Sequence, residues 1–196
     1  MRGIVQAAAA ALLLGASNTA IAQIAPIVMP GAPGQPGRVI TSEEARRIAA
    51  TGHSSDDIAF MQQMIVHHQQ AVDMVALVKS RTNNPAILAI AGRIDAGQAD
   101  EMTFMRKWLA DRNEPAAMDH SAHAHHTMKG MASPEQLAAL AAASGTAFDR
   151  LFLQLMIPHH KGALDMVEDL LGKQGSAYDP VMFQFTSDVT SDQKAE

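Results

Sequence analysis

The chain has 196 residues, a formal charge of −5, 13 methionines, nine histidines and no cysteine. That length builds one domain, or two small ones sharing a core. The lack of any Lys/Arg cluster argues against a nucleic-acid partner, and the lack of thiols leaves imidazole and thioether as the donors for a soft metal ion.

Arg2 supplies a short basic start, and Ile4–Gly15 is an apolar run too short to anchor in a bilayer. Ala20-Ile21-Ala22 offers a small-x-small cleavage pattern, so residues 1–22 read as a signal peptide with a mature start near Gln23. The mature protein is expected to be secreted or periplasmic, with no membrane span left after cleavage. Residues 23–53 follow as a linker and a short helix. Pro26, Pro30, Pro33 and Pro36 alternate with Gly31, Gly34 and Gly37, which predicts extended chain. Thr41 or Ser42 then caps a helix through Ala50, and His53 falls in the following turn as a surface residue.

Residues 54–110 read as a helical hairpin. Ser54, Ser55 or Asp56 caps a helix to about Lys79, in which Asp57, Met61, Met64, His68, Ala71, Val75 and Val78 form one stripe. Phe60 and His67 lie beside it, and His67 and His68 fall about 40–60° to either side of Met64. Asn84-Pro85 opens the next helix as cap and first helical residue. Its stripe is Ile87, Ala91, Ile94, Gln98, Met102, Met105 and Leu109.

Residues 111–132 form a His/Met-rich linker. Met118, His120, His123, His125, His126, Met128 and Met131 fall within 14 residues that hold little apolar material to bury. Met118-Asp119-His120-Ser121 is similar to short Met/His motifs of exported copper-resistance proteins.

Residues 133–196 repeat the hairpin. Ser133-Pro134-Glu135-Gln136 opens a short helix leading into a long one around Asp149–Leu171. Between Asp57–Val75 and Asp149–Val167, 11 of 19 aligned positions are identical, including Met64/Met156, His67/His159, His68/His160 and Met74/Met166. Asp179-Pro180 matches Asn84-Pro85, and Gln193 and Glu196 match Gln98 and Glu101. The fourth helix has no counterparts of Met102, Met105, Trp108 and Leu109 and is short or truncated. Pro158 stands where the first hairpin has Val66, and is expected to bend its helix. Two hairpins with apolar inner faces predict an all-α four-helix bundle.

Two imidazole pairs beside methionine point to copper, because thioether is a poor ligand for hard cations. Met61, Met74, Met102, Met105 and Met166 are further sulfur donors, although methionine at helical spacing ordinarily fills a core. A carboxylate di-iron site needs Glu-x-x-His motifs, which are absent. Asp73 and Asp165 lie on the face opposite Met64 and Met156, while Glu101 and Glu196 flank the inner stripes.

The pattern Met-Ile-x-His-His-x-x-Ala-x-x-Met, preceded by Phe and followed in the partner helix by Gln-x-x-Glu, resembles the domain of unknown function 305 family, here as two tandem copies. That family is ferritin-like, helical and often exported, and includes CopM-like copper-binding proteins. The resemblance covers residues 57–109 and 131–196 and implies metal-binding roles for Met64, His67, His68 and Met74, and for Met156, His159, His160 and Met166. The expectation is a non-enzymatic, exported protein that buffers, sequesters or carries copper as Cu(I) or Cu(II), with the linker residues Met118, His120, His123, His125 and His126 capturing ions. Another exported copper-handling protein is a possible partner, and a homodimer would complete the core beside the short helix. The alternative is a metal-free bundle serving as an interaction or envelope-stress module.

Overall fold

The computed structural model describes residues 25–29, 36–117 and 128–196. The expected signal peptide at residues 1–22, the middle of the Pro/Gly stretch, and Met118, His120, His123, His125 and His126 lie outside the described residues. Two strands, β1 (Ile27–Met29) and β2 (Arg38–Ile40), are followed by helices α1 (Ser42–Thr51), α2 (Ser55–Arg81), α3 (Pro85–Ala110), α4 (Pro134–Ala142), α5 (Gly145–Leu171) and α6 (Pro180–Ala195). Among the described residues, no helix is long and apolar enough to cross a membrane.

The strands were not foreseen. They pair antiparallel with Ile27 opposite Ile40 and Met29 opposite Arg38. The reason lies in the β-prone residues at both edges of the Pro/Gly stretch. Met29 and Ile40 turn inward and are buried. His53 is likewise not the free surface residue expected, because its half-buried ring meets Trp108 edge-on at 5.6 Å.

The helices begin where their caps dictate. Ser54 caps α2 in a capping box with Asp57, Asn84 caps α3 with Pro85 at the first helical position, and Asp179 with Pro180 does the same for α6. Helix α5 starts at Gly145, a turn earlier than the motif suggested, and runs without interruption through Pro158. Every residue of the two predicted stripes in α2 and α3 is buried.

Helix α2 packs on α3 and on α5, and α5 packs on α6, giving an all-α bundle of two hairpins. The motif-leading aspartates fasten each hairpin to the turn of the other. Asp57 accepts the backbone N–H of Ala177 at 2.8 Å, and Asp149 accepts the side-chain amide of Asn84 at 2.9 Å.

Helices α2 and α5 run antiparallel, so the core falls into two apolar clusters. One joins Phe60, Met61, Met64 and Ile65 to Ala163, Met166, Val167 and Leu170, with Met102, Met105, Trp108 and Met182. The other joins Ala71, Met74, Val75 and Val78 to Phe148, Phe152, Leu155 and Met156, with Ile87, Ala91 and Ile94. Each fully buried side chain of this size contributes about 1.5–3 kcal/mol by leaving water. Helix α6 has 16 residues against 26 in α3. The last turns of α3 cover Ile65, which is 8 % exposed, whereas its equivalent Ile157 is 67 % exposed.

Candidate metal centre

The paired histidines occupy the middle of α2 and α5, between the two apolar clusters. Consecutive helical residues point about 100° apart, so each pair splits. His67 and His159 turn toward one another, with ring centroids 3.8 Å apart and planes tilted by 34°. His68 turns toward α3, where its Nε2 meets Glu101 Oε2 at 2.5 Å. His160 turns toward α6, where its Nε2 meets Glu196 Oε2 at 2.9 Å. All four rings are inside, at 0 % exposure for His67, His68 and His159 and 6 % for His160.

Hydrogen bonds fix the tautomers of the central pair. His67 Nε2–H donates to the carbonyl of Lys129 at 3.0 Å, and His159 Nε2–H donates to the carbonyl of His67 at 3.0 Å. Their Nδ1 atoms then carry lone pairs, and both are buried without a partner, as is Nδ1 of His68. His160 differs, because its Nδ1–H donates to the Met156 carbonyl at 2.9 Å and both of its nitrogens are engaged.

Burial lowers the His67 pKa to about 4, with the neighbouring His68 adding to the effect. Burial and then His67 lower that of His159 to about 2. Desolvation disfavours the charged ring, so both are neutral imidazoles at neutral pH. Neutral imidazole with its second nitrogen tied to a carbonyl is the form that binds a metal ion.

The Lys129 carbonyl reaches His67 because the backbone crosses α5 where side chains are missing. A Cβ on Gly162 would lie 2.0 Å from Lys129 O, and one on Gly130 would lie 2.2 Å from Pro158 O. Gly130 also has φ +77°, a conformation that suits glycine. The far end of this strap is held by Gln70, which donates to Ala132 O at 3.0 Å and accepts Ala132 N–H at 2.7 Å. Gln70 and Gly162 occupy equivalent positions of the repeat, and only the glycine lets the backbone descend.

The methionines regroup across the hairpins. Met64 shares its cluster with Met166, together with Met61, Met102, Met105 and Met182. Met156 shares the opposite cluster with Met74. Sulfur therefore flanks the histidine layer on both sides, six methionines to two. Sequence reasoning placed Glu101 and Glu196 only beside the inner stripes. Their role as histidine partners was readable in the recurrence of Gln-x-x-Glu at one spacing. Gln98 and Gln193 are buried with both amide atoms unpartnered. Among the described residues, no three His, Asp or Glu side chains converge to hold a metal.

These features define an all-α, ferritin-like four-helix-bundle protein with a buried layer of imidazoles between methionine-bearing clusters. The chain belongs to the DUF305 family, whose model, described as domain of unknown function, matches residues 57–196 as one unit. A DUF305 protein from Streptomyces coelicolor has a similar structure, with a TM-score of 0.64 and 28 % identity over 72 % of this chain and 85 % of that one. A DUF305 fragment from Deinococcus radiodurans gives 0.64 and 27 %, over 73 % and 91 %. CopM in its Cu(I)-bound form gives 0.56 and 30 %, over 71 % and 88 %, and CopM has also been solved with Cu(II) and with silver. No functionally curated protein matches the chain in sequence.

Proposed function

We propose that this is an exported, non-enzymatic protein that buffers, sequesters or carries copper, holding the ion in the histidine layer of its bundle. One observation carries the reading. His67 and His159 present neutral, buried Nδ1 atoms that hydrogen-bond to nothing, beside clusters rich in thioether. An orphaned buried acceptor costs about 1–3 kcal/mol, and a soft ion would offset that cost. Met64 and Met166 would complete the ligand set from one side, Met74 and Met156 from the other, and His68 would contribute its free Nδ1. Neutral soft ligands bind Cu(I) well and exchange it by ligand replacement. The relatedness to CopM, solved with Cu(I), Cu(II) and silver, supports the same choice of ion. The leader-like composition of residues 1–22 supports export, and the tandem His-His motifs support an origin in two copies. The tract from Met118 to His126 would add donors for capture.

Titration of the exported protein with Cu(I) under reducing, anaerobic conditions and with Cu(II) in air tests this reading. Saturable binding is expected, and a His67→Gln/His159→Gln variant should lose bundle stoichiometry. An unchanged stoichiometry in that variant would move the site to the His/Met tract. The alternative, a metal-free interaction module, draws on the two imidazole-to-carbonyl bonds, which by themselves describe satisfied core histidines. It predicts no shift of melting temperature with copper. A ligand specific for the native state stabilises it by about 2.7 kcal/mol at 100 times Kd.

A further inference from the structure

The strip of α5 that carries Ile157 faces solvent, whereas Ile65, the equivalent residue of α2, is covered. At about 100° per residue, Arg150, Leu153, Ile157, Lys161, Leu164 and Glu168 lie within about 40° of one line along the helix. Ile157 is 67 % exposed, Arg150, Lys161 and Glu168 are exposed, and Leu153 and Leu164 are half-buried. A cavity of about 250 Å³ lies beside the middle of the strip, lined by Leu153, Ile157, Lys161 and Leu164 together with Ile90 and Ile94 of α3.

The charges along the strip are ordered. Arg150 at one end and Glu168 at the other take part in no salt bridge among the described residues. Lys161, in the middle, is neutralised by Asp165 at 2.8 Å. Arg150 and Glu168 each stand nine residues from position 159. Turned about a two-fold axis at that position, the strip is complementary to itself in the antiparallel sense. Arg150 falls opposite Glu168 of the second copy, Leu153 beside its Leu164, and Ile157 against the aliphatic stem of its Lys161. A parallel pairing would set Arg150 on Arg150 and Glu168 on Glu168.

We infer that this strip is an isologous contact between two copies of the chain, α5 against α5, with Arg150 and Glu168 paired across it twice. Side chains of one helix pack into the grooves of its neighbour, and the cavity beside Ile157 gives an aliphatic side chain of the second copy a place to enter. The contact needs no metal. Arg150 to Glu168 spans about 27 Å of helix, and such a strip covers less than the roughly 800 Å² per partner of a standard interface. The dimer is therefore weak, with a Kd of about 1–100 μM.

Sedimentation velocity of the exported protein across that concentration range tests the contact. The native chain should pass from monomer to dimer, and less readily at high salt. Ile157→Asp puts a charge at the centre of the strip and should stay monomeric. Glu168→Arg sets arginine opposite arginine and should weaken the dimer about 3- to 30-fold, while Arg150→Glu/Glu168→Arg restores opposite charges and should recover it. All three variants change exposed residues, so their melting temperatures at low concentration should stay near the native value. A native chain that is monomeric throughout would leave the strip to a different partner and overturn the inference. So would a dimer untouched by Ile157→Asp, or a double reversal as weak as Glu168→Arg alone.

Discussion

Acid should weaken this fold through two residues. His67 and His159 have folded-state pKa values of about 4 and about 2, against 6.5 for an ordinary histidine. Above pH 6.5 both are neutral whether folded or unfolded, and neither affects stability. Below it the unfolded chain takes up two protons that the folded chain refuses, so stability falls with pH until the folded pKa values are reached. Each ring contributes about 1.4 kcal/mol per pH unit in that window, and the pair about 2.7. Integrated from neutrality to pH 5, the loss is about 4 kcal/mol, a large share of the 5–15 typical of a domain. Guanidinium unfolding at pH 7.5, 6.0 and 5.0 measures it. In His159→Gln, whose amide can still donate to the His67 carbonyl, the slope should drop to about 1.4 kcal/mol per unit. Stability that stayed level between pH 7 and pH 5, or fell as steeply in the variant, would show that the rings are not held neutral by burial.

Four further outcomes are expected. Gly162→Ala should push the Lys129–Gly130 backbone off α5 and break the bond to His67, costing about 1–3 kcal/mol by thermal or denaturant unfolding. Asp57→Ala removes the capping-box acceptor of the Ser54 N–H and strands the buried Ala177 N–H, so it should cost about 2–4 kcal/mol, and more than Asp149→Ala. Met61→Leu/Met105→Leu keeps core volume and should change stability by less than about 1.5 kcal/mol. A loss of Cu(I) affinity in that protein would identify its sulfurs as ligands, and unchanged affinity would leave them as packing. Saturating Cu(I) should raise the melting temperature by similar amounts at pH 7 and pH 5, because His67 and His159 stay neutral in the folded state down to their pKa values of about 4 and about 2.

The stripes of α2 and α3 were fully legible in sequence, because helical periodicity sorts inner from outer residues before any partner is known. So were the Asn84 and Asp179 caps, which act within one turn of chain, while Ser54 was one of three candidates with Ser55 and Asp56. The inward placement of His67, His68, His159 and His160 followed from the same periodicity. The strands of residues 27–40 were missed because proline and glycine dominate the composition there, while a few β-prone edge residues make the pairing. The strap over His67 was invisible for a related reason. Gly130 and Gly162 are ordinary glycines until two distant segments are brought into van der Waals contact.

The sequence by itself determined an all-α bundle of two hairpins with imidazole and thioether on its inner faces, since period and capping are local properties of the chain. Only the tertiary structure decided which groups meet. The antiparallel crossing of α2 and α5 brings His67 against His159 and assigns Met64 to the cluster of Met166 rather than that of Met156. Packing of each hairpin sets a carboxylate on the outer histidine of each pair, and burial then leaves the central rings neutral with free nitrogens. Those outcomes depend on distances between residues far apart in the chain, which no local pattern encodes.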